Sequence, residues 1–291
     1  MDPVFFTIGS FEVHYYGLMY AIAFLLGIEL VKIEGKRKGF DPTLMENFAF
    51  IAMISGLLGG RLYYVLFNPT YYFSHIGDIL AVWKGGMAIH GGILGGIVGT
   101  YLFAKKHKIS MWSLGDIAAA PFILGQAIGR IGNFMNGEVH GVPTFTPFSI
   151  IFSIKPKFVE WYNTYNSLSL TAQMKFKELV PWGIVFPDPS PAGREFPGLA
   201  LHPAMLYELI LNFMAFISIW FFFKRKNYKA GTVWFIYIIE YSLIRTFVSF
   251  FRSEDLMFYG FRAPHVISVI LVIWSVLMIS YFNRKKVISN K

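Results

Sequence analysis

Residues 113–134 read SLGDIAAAPFILGQAIGRIGNF, and the chain continues as Met135-Asn136-Gly137-Glu138-Val139-His140-Gly141. An apolar run of membrane-span length thus ends by placing Arg130, Asn133, Asn136 and Glu138 on a backbone spaced by glycines. Polar groups of this kind are costly at the edge of an apolar segment, so they point to chemistry. Runs like it recur along the chain, near residues 15–32, 47–67, 87–104, 203–223, 231–251 and 264–282. With 291 residues, 55% hydrophobic and 15% charged, the chain could fill a large soluble core. Repeated runs of about 20 apolar residues fit a bilayer better.

The sequence therefore predicts an all-α integral membrane protein with seven transmembrane helices. The first run lacks a basic leader and a small-residue cleavage site, so it does not read as a secretory signal. Cysteine is absent, which leaves neither a disulfide framework nor a thiol nucleophile. A net charge of +9 raises nucleic acid as a partner, but the distribution of the basic residues argues against it. Lys32, Lys36, Arg37 and Lys38; Lys105, Lys106 and Lys108; Lys224, Arg225, Lys226 and Lys229; and Arg284, Lys285, Lys286 and Lys291 all fall on one side of a seven-span arrangement. The positive-inside rule makes that side cytoplasmic, with the N-terminus outside and the C-terminus inside. The opposite loops are poorer in basic residues, with Lys84 in one and Arg262 in another.

Three segments follow: residues 1–137 with four spans and the opening motif, 138–202 as a small extracytoplasmic head, and 203–291 with three spans and a basic tail. A helix is expected within 157–180. Glycines at 56, 59 and 60, and at 91, 92, 95, 96 and 99, are spaced to let helix backbones approach closely.

Arg61, Arg130 and Arg245 lie in or at the ends of apolar runs. Each alone fits a cation snorkelling to the outer boundary, favoured by the negative end of its helix. Tyr16, His90, His202, Tyr207 and Glu208 reach the same depth from other spans, which independent anchors would not require. Arg130 and Asn133 share a helix face, and Tyr241, Arg245, Ser249 and Arg252 draw a polar stripe along one helix. Guanidinium forks suit phosphate oxygens, so the expected ligand is anionic, a phospholipid headgroup. Beside such a cluster His90 or Tyr16 becomes a candidate for proton transfer. No metal-binding spacing is present, and neither metal nor cofactor is expected.

These residues carry a resemblance to the prolipoprotein diacylglyceryl transferase family. It covers Asp2-Pro3-Val4 to Tyr20, His90-Gly91-Gly92, the signature from Gly129 to Gly141, His202-Pro203 with Leu206-Tyr207-Glu208, and Arg245 to Arg252. The resemblance implies a bacterial inner-membrane enzyme, active towards the outer leaflet. Its substrates would be phosphatidylglycerol and the lipobox cysteine in the signal peptide of a preprolipoprotein. The diacylglyceryl group would pass to the thiol, giving a thioether and glycerol phosphate. Arg130 and Arg245 would then hold the phosphate, His90 or Tyr16 would assist thiol deprotonation, and Asn133, Glu138 and Gly141 would shape the headgroup pocket. The chain departs from the family pattern at Ser249, where a glutamate is expected, and at Met205 and His265, where glutamines are expected. A carboxylate for Arg245 must then come from elsewhere, with Glu208 and Glu240 as candidates. A transporter would instead show internal repeats or polar groups in both leaflets, and a scaffold would need no convergence.

Overall fold

The computed structural model describes residues 3–9, 11–82 and 85–288. Asp2, Lys84 and Lys291 lie outside them. A β-hairpin, β1 (Val4–Ile8) and β2 (Phe11–His14), leads into helix α1 (Tyr15–Arg37). There follow α2 (Pro42–Leu66), α3 (Pro69–Ser74), α4 (Ile89–His107) and α5 (Met111–Asn136). The segment 138–202 holds α6 (Phe148–Ile151), α7 (Phe158–Asn166), α8 (Leu170–Gln173), β3 (Ile184–Val185), α9 (Pro191–Glu195) and β4 (Ala200–Leu201). Helix α10 (Ala204–Ile217) runs on into a π-helical turn, Ser218–Phe223. After it come α11 (Thr232–Phe251), the two-residue strands β5 (Met257–Phe258) and β6 (Phe261–Arg262), and α12 (Ala263–Ile288). The described residues are therefore mostly helical, with three short antiparallel pairs among them that the apolar periodicity did not foretell.

Among the described residues, six helices are long and apolar enough to cross a membrane: α1, α2, α5, α10 with its π turn, α11 and α12. The run at 87–104 does form a helix, α4, but it is not among the six. Its five glycines add little hydropathy, and Lys105, Lys106 and His107 fill its last turn. Large apolar side chains point outward along the spans, among them Leu25, Leu58, Phe122, Leu243 and Leu277. Outward-facing apolar residues suit lipid, where every backbone polar group must be satisfied within the helix.

The chain forms two compact units, one of residues up to 25 with those from 122 onward, the other of residues 26–121. In the second unit, Val31, Met45, Phe48, Phe103, Leu114 and Ile117 make a buried core. Asp41 caps α2 by accepting from the Leu44 amide at 3.0 Å, with Pro42 at the first turn, where a missing N–H costs nothing. Helices α2 and α4 pack through their glycines: a Cβ on Gly95 would lie 2.9 Å from Gly59 Cα. In the first unit, α10 packs on α11 and α11 on α12.

Candidate functional site

The end of α5 shows how sequence places the opening motif. Gly137 adopts φ +65°, a conformation that suits glycine because it lacks a Cβ. The Glu138 amide then donates back to Asn133 O at 2.9 Å, and the Gly137 amide to Phe134 O at 3.1 Å. This pair of bonds is the Schellman arrangement, which satisfies the last carbonyls and turns the chain sharply. Val139, a β-branched residue, also takes a positive φ of 60°, a costly conformation of the sort that clusters at functional sites.

Beyond the turn the motif is tied to two other elements. Gly141 N donates to His202 O at 2.8 Å, Val142 N to Phe251 O at 2.9 Å, and His202 N to Val142 O at 3.0 Å. A Cβ on Gly141 would come within 2.7 Å of both His202 Cβ and Phe251 O. Gly141 thus lets three backbone segments meet beside the site. His140 points into the head, with Nε2 3.0 Å from Glu195.

A continuous polar chain runs through the first unit. Tyr16 donates to Glu138 Oε2 at 2.8 Å and accepts from Asn133 Nδ2. Gly132 makes room for the ring, since a Cβ there would sit 2.9 Å from Tyr16 Cδ1. Asn133 Oδ1 accepts from Arg130 Nη1 at 2.9 Å, and Arg130 Nη2 donates to Glu208 Oε1. Glu208, fully buried on α10, also lies 4.0 Å from Arg245 Nη1. Arg245 Nη2 donates to Asp255 Oδ1 at 3.0 Å. Asp255 in turn accepts from Ser249 Oγ and stands 3.7 Å from Arg252 Nε.

Of the predicted residues, Tyr16, Arg130, Asn133, Glu138, Gly141 and Arg245 therefore belong to one unit. Among the described residues, Arg130 Nε, Arg245 Nη1 and Arg252 Nε are buried without a hydrogen-bond partner. Donors left spare on three arginines fit an anion with several acceptor oxygens. Glu208 does answer Arg245, whereas Glu240 accepts from Ser218 Oγ at 2.7 Å instead. Asp255 was not foreseen. It lies in a short turn with no periodic signal, and only its spacing of three from Arg252 hinted at a pair.

His90 and Arg61 belong to the other unit. His90, exposed at the start of α4, has its ring 6.1 Å from that of Tyr63. Arg61 is buried, and its guanidinium is used on carbonyls: Ile79 O and Gly86 O at 2.9 Å, Asp78 O and Gly85 O at 2.5 Å. It also stacks over Tyr72. The sequence set Arg61 beside Arg130 and Arg245 as an arginine in an apolar run; in the structure its guanidinium clamps a loop through four carbonyls.

His202 is wholly buried, and burial pushes its pKa down to about 4. Nδ1 of the neutral ring is hydrogen-bonded to the Tyr207 hydroxyl at 3.0 Å, and Tyr207 accepts from Trp182 Nε1 at 2.7 Å. A ring held neutral in this way secures the start of α10.

Known proteins resemble this chain along nearly its whole length. The family model for prolipoprotein diacylglyceryl transferase matches residues 3–281. A Fusobacterium nucleatum protein named phosphatidylglycerol--prolipoprotein diacylglyceryl transferase is 65% identical over 286 residues, covering 98% of this chain and 99% of its own. Proteins of the same name from Bacillus velezensis and a Synechocystis species are each 33% identical, over 100% and 93% of this chain and 95% and 86% of their own. The chain belongs to the prolipoprotein diacylglyceryl transferase family.

Proposed function

We propose that this protein transfers the diacylglyceryl group of phosphatidylglycerol to the lipobox cysteine thiol of a preprolipoprotein, the first step of lipoprotein maturation. The observation that carries the reading is the arginine cluster, with spare donors on Arg130, Arg245 and Arg252, in a chain 65% identical to a protein named for this reaction. The nucleophile is supplied by the substrate, which suits an enzyme without cysteine. The thiolate sulfur attacks the glyceryl carbon that bears the phosphodiester oxygen. A C–S bond forms, the C–O bond breaks, and its electron pair leaves on the phosphate as glycerol phosphate. Arg130 and Arg245 hold the phosphate and balance its growing charge. Asn133 and Gly141 shape the headgroup pocket.

The thiol must lose its proton to react. Tyr16, whose hydroxyl already donates to Glu138, can pass its proton to that carboxylate and take one from the thiol. His90 is the other candidate. In the membrane, α4 serves as a seventh span, so that the N-terminus and the head face outward and the C-terminus inward. The site then opens to the outer leaflet of the bacterial cytoplasmic membrane.

Purified protein, labelled phosphatidylglycerol and a lipobox peptide test the assignment. Arg130→Ala and Arg245→Ala should each lower turnover by roughly 10²–10³-fold. Near-normal thioether formation by either variant would sink the phosphate role.

A further inference from the structure

The transfer chemistry above makes no use of Asp255. Yet its side chain is only 4% exposed, and it meets Arg245, Arg252 and Ser249 together. Arg130, Arg245 and Arg252 face two buried carboxylates, Glu208 and Asp255, leaving one positive charge in excess. Two further charges flank the cluster: Arg262, which acts electrostatically on Asp255, and Glu138, which is bonded to Tyr16 and Asn136. Including both leaves the excess unchanged. Where water is scarce, charge matching decides which anion is held. A phosphodiester carries one negative charge and fits the excess. A phosphate monoester carries about two at neutral pH and exceeds it.

We infer that Asp255 is an internal counter-anion: it sets the arginine cluster to the charge of a phosphodiester and competes with the phosphate monoester product for Arg245 and Arg252. Ser249, one helical turn beyond Arg245, keeps the carboxylate in place through its hydroxyl. The inference deepens the transferase reading and rests on it.

The test is equilibrium binding of radiolabelled glycerol phosphate to the full-length protein, with thioether formation followed before steady state. Asp255→Asn should bind glycerol phosphate about tenfold more tightly. It should also show a burst of thioether and then a slower steady rate, because product leaves late. A merely structural residue would not tighten product binding, so unchanged or weaker affinity overturns the inference. The double variant Ser249→Glu with Asp255→Ser returns a carboxylate four residues after Arg245, on the same helix face. It should restore wild-type affinity for glycerol phosphate, and binding tighter than wild type would overturn the inference even if Asp255→Asn fails to fold. If the wild-type protein makes no thioether, the transferase reading falls, while the affinity comparison still decides the role of Asp255.

Discussion

Glu208 shows how one side chain can organise a site. It is fully buried, bonded to Arg130 and near Arg245, so removing it leaves two guanidinium groups competing for little negative charge. Glu208→Ala should cost about 3–5 kcal/mol of stability, the usual penalty for stranding a buried partner, measured as denaturant unfolding in detergent. Tyr16 and Glu138 make a second testable pair. The proposed shared proton path predicts that Tyr16→Phe and Glu138→Gln each lower kcat by about 10²-fold, and the double variant by little more. Additive losses in the same turnover assay would separate them. The sequence made most of these residues legible, since charged and amide groups at the ends of apolar runs stand out. Arg61 also lies in an apolar run, and a guanidinium spent on backbone carbonyls looks the same in sequence as one held ready for a phosphate.

At the scale of elements, the first unit depends on how α5 stops and how α10 starts. Gly137→Ala would force a Cβ into a left-handed conformation and to 2.7 Å from Ser190 Cβ, so it should destabilise the fold by at least about 1 kcal/mol. A thermal shift read against wild type checks this. His202 ties the head to α10, and its folded pKa of about 4 lies below the ordinary 6.5. Between those values the unfolded chain binds the proton that the folded one refuses, so stability is full above about pH 6.5 and declines as pH falls towards 4. The gap is worth on the order of 3 kcal/mol. His202→Phe should flatten that part of a Tm-against-pH curve, and an unchanged slope would assign the pH dependence to other groups. The glycine seam between α2 and α4 could be read from spacing alone, because small residues four apart have few uses other than close packing.

The absence of cysteine makes the whole molecule easy to map with single introduced thiols. Ser167, exposed in the head, and Lys226, exposed after α10, are suitable positions. In intact cells Ser167→Cys should react with a membrane-impermeant thiol reagent, and Lys226→Cys should react only after lysis. The reverse pattern would invert the orientation drawn from the basic loops. The same approach across Ile89–His107 tests whether α4 crosses the bilayer, since a spanning α4 leaves its two ends labelled from opposite sides.

Composition and apolar runs determined by themselves that this is a helical membrane protein, because hydrocarbon thickness imposes a span length that a sequence cannot conceal. The signature from Gly129 to Gly141 and the paired residues of the later helices determined the family. Tertiary structure alone decided which charges meet. Glu208 rather than Glu240 answers Arg245, Asp255 arrives from a turn to complete the cluster, and Arg61 is used to hold a loop. The physical reason is that span hydropathy is a local sum along the chain, whereas an ion pair depends on where residues far apart in sequence, such as Arg130 and Glu208, come together in space.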